Sequence, residues 1–264
     1  MPLTLLEIDR SKCRKDGICS AVCPRGLISL KEFPETCDEG YELCLACGHC
    51  VAACPHGALS NNKLPQGAPF PIRKELQPDA DSVVQFLRSR RSIRAFKEKA
   101  VPRDTTEKIL DCARWAPSAS NSQPVSWIAV EKPELMKQLE ELAAQWLKDE
   151  MPGYARFFTH VPNQGEIILR GAPNLIVALT AAQYPWGDTD CAIALSYVEL
   201  AAKANGLGTC WAGLLTRAAQ ANRTIAESLG VPEGFKVHGA LMLGYPLYSY
   251  ARIPTRNEAK IRWA

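Results

Sequence analysis

Residues 44–55 read CLACGHCVAACP, and this stretch decides the fold of the N-terminal region. Its four cysteines follow the spacing C-x2-C-x2-C-x3-C, and a proline comes directly after the last of them. Residues 12–24, KCRKDGICSAVCP, repeat this spacing except that Asp16 stands where the second cysteine is due. The chain therefore carries one short pattern twice, with a single substitution that has to be explained.

The distribution of the eleven cysteines indicates metal binding. Eight of them lie between Cys13 and Cys54. The N-terminus MPLTLLEIDR lacks the basic segment and apolar run of a signal peptide, so we expect a cytoplasmic protein, in which disulfides are rare. Clustered cysteines in such a protein are typical metal ligands. Zinc sites separate two C-x2-C pairs or add histidine, whereas four thiolates crowded into one loop before a proline favour an iron–sulfur cluster.

Two clusters are predicted, because the fourth cysteine of each run ligates the other cluster in two-cluster proteins. Residues 1–60 resemble bacterial two-cluster ferredoxins, including a known variant with aspartate at the second position. The predicted ligands of the first cluster, a [4Fe–4S] cluster, are Cys44, Cys47, Cys50 and Cys23. Those of the second cluster are Cys13, Asp16, Cys19 and Cys54.

The state of the second cluster depends on Asp16. In one alternative, the Asp16 carboxylate or a water beside it would hold the fourth iron of a [4Fe–4S] cluster. In the other, that iron would be lost and a [3Fe–4S] cluster would remain, because a hard oxygen ligand binds iron less firmly than a thiolate does. A further alternative is that Asp16 and Gly17 only form a turn. Cys37 falls outside both ligand sets and is expected to be a free or packed thiol.

Length and composition leave room for a second domain. The chain has 264 residues, which suits about two domains, and a net charge of +3, which gives no reason to expect nucleic acid. No apolar run approaches the roughly 18 residues that span a bilayer. Residues 61–78, NNKLPQGAPFPIRKELQP, contain four prolines and no periodicity. They indicate a linker between a domain at 1–60 and a domain at 79–264.

Residues 79–264 are predicted to form an α+β fold. A first helix is expected to begin at Asp79 or Asp81 as its N-cap and to end in the basic cluster RSRRSIRAF. Asp104 and Glu107 suggest a capping box for a helix over 102–115. Further helices are expected near 133–149, 188–205 and 218–229, and strands at 126–130, 174–180, 209–212 and 237–243.

A series of segments resembles the nitroreductase family of FMN enzymes in order and spacing. They are RRSIRAF (90–96), APSASNSQP (116–124), GAPNLIVAL (171–179), NGLGTCWAGLL (205–215), LGVPEGFKVHGALMLGYP (229–246) and RIPTR (252–256). The resemblance implies bound FMN and a homodimer in which both chains hold the flavin. The 188–205 helix is apolar nearly all round, which fits a central or interface helix.

The resemblance and the chemistry of FMN together predict the cofactor-binding residues. Arginine provides the fixed, multiple donors that a phosphate dianion requires. Ser92 and Arg94 point to one face of an extended segment, and the family places a cation there near the flavin N1 and O2 atoms, where it stabilises the reduced ring. The predicted residues are Arg90, Arg91, Ser92, Arg94, Ser118, Asn121, Gln123, Ala212, Gly213 and Arg256.

Simpler interpretations of these segments remain open. The basic run could be the solvated end of a helix, which the helix dipole favours. The loop PSASNSQP could be only a group of turn and capping residues. Ala212 occupies the position at which the family usually carries an acidic residue, and no catalytic side chain is assigned. The four histidines suggest no catalytic triad, and neither a complete G-x-G-x-x-G nor a Walker A motif is present.

The two parts together predict a flavin-dependent reductase. Its clusters would pass electrons to FMN, which would reduce a small organic acceptor such as a nitroaromatic or a quinone. The external donor would be a ferredoxin, or NAD(P)H. The alternative is an electron-transfer module that shuttles electrons between protein partners without a small-molecule substrate, and specialised chemistry such as flavin fragmentation or reductive dehalogenation is a third hypothesis.

Overall fold

The computed structural model describes residues 4–67, 69–156 and 166–264. The chain divides into two compact units. The first comprises Met1–Gln77 together with Ser120–Ser122, and the second comprises Pro78–Ala119 and Gln123–Ala264.

The first unit is built from two short β-ribbons and three single-turn helices. Strand β1 (Leu6–Ile8) pairs antiparallel with β4 (Leu59–Asn61), and β2 (Ile28–Leu30) pairs antiparallel with β3 (Pro34–Thr36). The helices are α1 (Ile18–Ala21), α2 (Gly40–Leu43) and α3 (His49–Ala52). A small core lies between them, formed by Leu5, Leu6, Cys19, Ile28, Cys50 and Leu59.

The two cysteine runs adopt the same backbone. Helices α1 and α3 each follow a left-handed glycine, Gly17 with φ 76° and Gly48 with φ 73°. Two residues before these glycines, Lys15 (φ 60°) and Ala46 (φ 50°) are also left-handed. Glycine adopts this conformation at little cost, whereas it is uncommon for residues with a side chain. The repeated strain is therefore a property of the ligand loop itself.

The second unit is a four-stranded antiparallel sheet covered by helices. The strand order is β5-β6-β8-β7, with β5 at Ser126–Val130, β6 at Asn174–Ala181, β7 at Gly208–Trp211 and β8 at Phe235–Gly244. Its helices are α4 (Ala80–Arg88), α5 (Arg103–Ala113), α6 (Pro133–Glu150), α7 (Pro152–Ala155), α8 (Gly187–Ala204), α9 (Gly213–Ala221) and α10 (Arg223–Leu229). Short 3₁₀ turns lie at Lys74–Leu76 and Ala119–Asn121.

The sheet separates two hydrophobic clusters. Strand β6 reads NLIVALTA and is buried on both faces, as expected for a central strand rich in branched residues. One cluster packs α6 and α9 on the sheet, with Leu139, Leu147 and Leu215 fully buried. The other packs α5 and α8, with Leu195 and Val198 at its centre. Helix α8 is therefore a central helix of the unit, as predicted.

Local details both confirm and correct the sequence predictions. Asp79 is the N-cap of α4, since its carboxylate accepts from the Ser82 N–H at 2.9 Å. The capping box was wrong: Pro102 is the N-cap of α5, and Asp104 accepts from Thr105 next to it. The single helix over 218–229 was also wrong. Asn222 is extended, ends α9 and caps α10, because its side-chain oxygen accepts from the Thr224 N–H.

Among the described residues, no helix has both the length and the apolar character needed to cross a bilayer.

Candidate redox centres

The first unit contains two cavities, each lined by one predicted ligand set. The Cys44 cavity is lined by Cys23, Cys44, Cys47 and Cys50 among other residues. The Asp16 cavity is lined by Cys13, Asp16, Cys19 and Cys54 among others. In each case one residue comes from the opposite run, Cys23 in the first and Cys54 in the second. The lining of the two cavities fits the crossed ligand sets that the spacing predicted, and ligation of iron by these residues stays a prediction.

The spread of these side chains favours a polynuclear cluster. Within the described ranges, no three His, Cys, Asp or Glu side chains converge as the ligands of a single metal ion. The thiols instead surround a volume. A cluster of iron and sulfide fills such a volume and takes one thiolate at each corner, so the residues present fit an iron–sulfur cluster.

Backbone N–H groups point at several of the sulfurs. Leu27 N–H donates to Cys23 Sγ and Ala58 N–H to Cys54 Sγ, both at 3.4 Å. These two contacts occupy corresponding places in the two runs. Hydrogen bonds of this kind stabilise thiolate ligands and raise the reduction potential of a cluster.

The Cys44 loop receives additional support. Ala46 N–H donates to Cys44 Sγ at 3.4 Å, and the Asn61 amide approaches the same sulfur at 3.6 Å. The Lys63 ammonium donates to the carbonyls of Tyr41 and Cys44 at 3.0 and 2.9 Å. The loop is therefore fixed on both its thiol and its carbonyl side.

Asp16 takes part in a turn and lies close to a histidine. Its Oδ1 accepts from the Ile18 N–H at 3.1 Å, which is the turn that the Asp-Gly pair indicated. Its Oδ2 lies 3.4 Å from Nε2 of His56. Ligation of iron by Asp16 remains a prediction, and the turn does not conflict with it because one carboxylate oxygen is not engaged with the backbone.

Burial disfavours free thiolates at the centre of the unit. It raises the pKa of the Cys19 and Cys50 thiols, the two cysteines with the least exposure in their runs. Iron binds the thiolate, so loading the cavities has to displace these protons.

In the second unit the basic segment lies along the free edge of the sheet. Ser92 forms a parallel bridge to Thr209, and the Ile93 N–H donates to the Thr209 carbonyl at 2.8 Å. A side chain at Gly208 would meet Ile93, since its Cβ would lie 2.3 Å from Cγ1. The close approach that glycine allows therefore places Arg94 beside β7.

Arg90 belongs to a buried polar network centred on Glu199. Oε1 of Glu199 accepts from Arg90 Nη1 at 3.2 Å and from Thr209 Oγ1 at 3.0 Å, and Oε2 accepts from the Trp211 indole at 3.3 Å. Lys203, one helical turn further along α8, donates to the Phe86 carbonyl and to Ser89 Oγ. The basic segment is therefore anchored to α8 and is not merely a solvated helix end.

The loop at 116–124 is held in an uncommon conformation. Ser120, Asn121 and Gln123 have φ values of 51°, 53° and 49°. Ser118 Oγ accepts from the Gln123 N–H at 2.9 Å, and the buried carboxylate of Asp190 accepts from the Ala119 N–H at 3.2 Å. Left-handed non-glycine residues concentrate at functional sites, so this strain fits a binding loop better than a simple turn.

Two predicted FMN residues lie apart from this group. The Asn121 amide belongs to the first unit, where it donates to the carbonyls of Leu45 and Ala46 at 3.2 and 3.0 Å. Arg256 lies in the exposed segment after β8, outside every helix and strand. Their roles in binding FMN remain predictions.

Ala212 and Gly213 form the start of α9. The Ala212 N–H donates to the Ala240 carbonyl at 2.8 Å, which fixes the turn from β7 into the helix. A Cβ at Gly213 would have no atom within 4 Å. The first N–H groups of a helix have no intrahelical acceptor and carry partial positive charge. The space beside Gly213 therefore adjoins the first N–H groups of α9, which suit a ring that carries hydrogen-bond acceptors.

A triad-like chain of side chains occurs elsewhere in the unit. Thr180 Oγ1 lies 2.9 Å from Nε2 of His238, and Nδ1 of His238 lies 2.7 Å from the Asp188 carboxylate. Because Thr180 is completely buried, its hydroxyl cannot meet a substrate. The contact lowers the pKa of Asp188 and has a structural role.

Three buried acids support these loops and were missed from the sequence. They are Glu140, whose carboxylate accepts from the backbone of Ile168 and Leu169, together with Asp190 and Glu199. The available signal was the presence of three acids in the largely apolar α8, of which Asp190 and Glu199 are buried, because buried charges are retained only where they have partners.

The fold and these sites define a redox protein with two cofactor-bearing units. The profile described as "Nitroreductase family" matches residues 87–245, and the one described as "4Fe-4S dicluster domain" matches residues 5–55. The chain belongs to the nitroreductase family and carries an N-terminal 4Fe–4S dicluster domain.

Individual relatives agree with this assignment. A protein of Archaeoglobus fulgidus, provisionally named as an NADH dehydrogenase/NAD(P)H nitroreductase, is 30% identical over 169 residues, which are 63% of this chain and 86% of the relative. A Bacillus subtilis protein named as an NAD(P)H-type FMN reductase is 28% identical over 178 residues, 66% of this chain and 70% of the relative. The crystal structure of a nitroreductase with bound FMN from Bacteroides fragilis has a TM-score of 0.61 and 27% identity, covering 69% of this chain and 98% of its own.

Proposed function

We propose that the chain is an FMN-dependent reductase whose two iron–sulfur clusters pass electrons to the flavin for reduction of a small organic acceptor, such as a nitroaromatic or a quinone. The observation that carries the proposal is one chain with two cavities ringed by the predicted iron ligands and a nitroreductase domain that has FMN-bound relatives. FMN accepts electrons singly and releases them in pairs. It therefore connects one-electron carriers to a two-electron acceptor.

The side chains of the second unit fit FMN. Arg90, Arg91 and Ser92 would bind the phosphate and the ribityl chain, with Glu199 holding the Arg90 guanidinium in place. Arg94 would lie near the N1 edge of the ring and favour its reduced, anionic form. The N-terminus of α9 at Gly213 would present its N–H to the ring edge, and the absence of a Cβ there leaves room for the approach.

A homodimer with two flavins fits the exposed apolar surface. Helix α4 leaves Val83, Val84 and Leu87 between 37% and 50% exposed. The segment after β8 exposes Tyr248, Tyr250, Ile253 and Trp263. Apolar surface of this extent favours association with another chain, and a two-fold dimer is the commonest form. We expect Arg256 to reach the FMN phosphate in that assembly. A monomeric mass by light scattering with FMN still bound would contradict it.

Anaerobic stopped-flow spectroscopy tests the electron route. The protein, loaded with iron and FMN, is mixed with reduced ferredoxin or, in parallel, with NADH or NADPH, and loss of flavin absorbance is followed. We expect ferredoxin to bleach the flavin after the cluster absorbance has changed. Fast bleaching by NAD(P)H with none by ferredoxin would refute the proposed route.

The acceptor is tested on the reduced protein. Adding a nitroaromatic or a quinone should restore the flavin absorbance within the mixing experiment. Restoration only by a second redox protein, with no small acceptor effective, would instead support the electron-transfer module.

A further inference from the structure

The two cluster loops share one backbone but differ in charge and exposure. Positions 31 residues apart correspond, as Cys13 does to Cys44. In the Asp16 loop the two residues after the cysteine are Arg14 and Lys15, both exposed. In the Cys44 loop they are Leu45 and Ala46, both half-buried. Backbone geometry does not explain this contrast, because Lys15 and Ala46 are both left-handed.

The basic side chains form a defined patch around an aromatic ring. The Arg10 guanidinium lies 4.8 Å and the Lys15 ammonium 4.5 Å from the centre of the Phe33 ring. Arg14 and Lys15 also line the Asp16 cavity itself. Arg10, Arg14, Lys15 and Phe33 are called the basic patch below. It is continuous with the rim of a predicted cluster.

Nearby acids leave the basic patch positive. Asp9 is engaged by Ser11 and by Lys12 at 3.1 Å, and its pKa is lowered to about 2 by these contacts. Glu35 pairs with Lys31 at 2.7 Å. The acidic residues that precede the Cys44 loop, Glu39 and Glu42, lie in or beside α2. Arg14 and Lys15 line the Asp16 cavity, whereas Arg25 is the one Lys or Arg side chain that lines the Cys44 cavity among the described residues. The larger number of cations therefore lies at the Asp16 cavity.

We propose that the basic patch is the docking surface for an acidic one-electron carrier protein, which delivers electrons to the cluster of the Asp16 cavity. This inference rests on the proposed function. In each encounter the carrier is oxidised by one electron and the cluster is reduced by one, with no bond formed or broken. Complementary charge accelerates such encounters and orients them, and a ring held between two cations offers an apolar contact at the centre of the patch.

The experiment measures both binding and electron delivery for matched variants. The probe is a purified plant-type [2Fe–2S] ferredoxin, which is an acidic one-electron carrier. Arg14→Glu/Lys15→Glu reverses the charge of the loop. Arg14→Leu/Lys15→Ala gives it the residues of the Cys44 loop. Lys137→Glu/Arg223→Glu makes the same change in net charge on exposed helices of the second unit. Iron and FMN per chain are measured for each protein.

Charge reversal is expected to lower the second-order rate constant of flavin reduction about 10- to 100-fold at low salt, because steering is lost. The affinity for oxidised ferredoxin, measured by calorimetry, should fall in parallel. In Arg14→Leu/Lys15→Ala the rate constant and the affinity should fall less than in the charge-reversed protein. In Lys137→Glu/Arg223→Glu both should stay within about 2-fold of the wild-type values. Rising salt should slow the wild type and barely affect the charge-reversed protein. The inference would be overturned if the rate constant fell equally in Lys137→Glu/Arg223→Glu. It would also be overturned if the charge-reversed protein kept its full iron content and an unchanged affinity for ferredoxin.

Failure of the proposed function has a different signature. In that case wild-type protein binds ferredoxin in a manner that depends on the basic patch, but its flavin is not bleached. If the wild type neither binds the probe nor is reduced by it, both the docking surface and the ferredoxin route are refuted.

Discussion

The two units assemble their sites over very different distances along the chain. In the first unit, three residues of each ligand set lie within seven positions, and the backbone around them is repeated almost unchanged. In the second unit, Arg90 reaches Glu199 across 109 positions and Ala119 reaches Asp190 across 71. A local site depends on loop geometry and on the metal that it binds. A non-local site depends on buried polar partners, so substitutions that weaken it can lie far from the bound ligand.

The local site should fail through loss of metal. Cys50→Ala removes a buried thiol from the Cys44 cavity, and we expect about half of the iron to be lost with the cluster. Flavin reduction by ferredoxin should slow by about two orders of magnitude or more, because the electron route is interrupted. Iron analysis and stopped-flow spectroscopy measure both effects. Cys37→Ala is the control, since Cys37 is an exposed cysteine outside both sets. Full iron content in Cys50→Ala would contradict the assignment.

The non-local site should fail through packing. In Gly208→Ala the new methyl group would lie 2.3 Å from Ile93, so the basic segment has to move away from β7. We expect unfolding to become easier by about 1–3 kcal/mol, together with weaker FMN binding. Gly153→Ala is the matched control, because a methyl group there has open space, Gly153 lies outside the proposed FMN site, and its stability should not fall. Equal stabilities of the two variants in denaturant titrations would show that β7 does not constrain this segment.

The buried network of Glu199 gives a smaller effect. Glu199→Gln keeps the size of the side chain but loses its charge and one acceptor, which leaves Arg90 or the Trp211 indole without a partner. We expect a loss of about 1–2 kcal/mol in stability. Glu227→Gln, which removes an exposed pair with Arg223, should cost less than about 0.5 kcal/mol. The comparison is made by thermal unfolding of the two variants, and similar losses would mean that the buried network contributes no more than a surface pair.

The smallest structural change concerns Asp16. Asp16→Cys makes the two loops equivalent in their ligands, so we expect two [4Fe–4S] clusters and no signal from an oxidised [3Fe–4S] cluster in low-temperature EPR. Cys47→Asp should have the converse effect on the other cavity. Stability should change little, because both loops already share one backbone. A persistent [3Fe–4S] signal in Asp16→Cys would show that something other than the fourth ligand decides the iron count.

The sequence was most informative where the determinants are local. The spacing, with the pattern of two-cluster ferredoxins, grouped the cysteines into two ligand sets, and the residues of each set line one cavity, because a turn of few residues has few possible shapes. Strand β5 was predicted over its observed residues, and Asp79 was recognised as a cap, since a cap bonds within three residues. The family resemblance added the prediction that FMN binds beside β7 and at the start of α9.

The failures have a common physical origin. The break at Asn222 was missed because apolar periodicity continues across it from α9 to α10, and only the cap geometry reveals the boundary. Asp104 and Glu107 matched a capping box, but Pro102 already begins the helix. Glu199 and Asp190 were overlooked because their partners lie in distant segments, and no local pattern specifies a long-range hydrogen bond.

The exchange of Cys23 and Cys54 between the two halves of the first unit has a mechanical consequence. Each bound cluster would act as a covalent cross-link between halves that are otherwise joined by a short segment and a small core. Cross-links shorten the loops available to the unfolded chain and so limit its entropy. Neither half supplies a complete ligand set by itself, so the two halves have to come together before either cluster can be held.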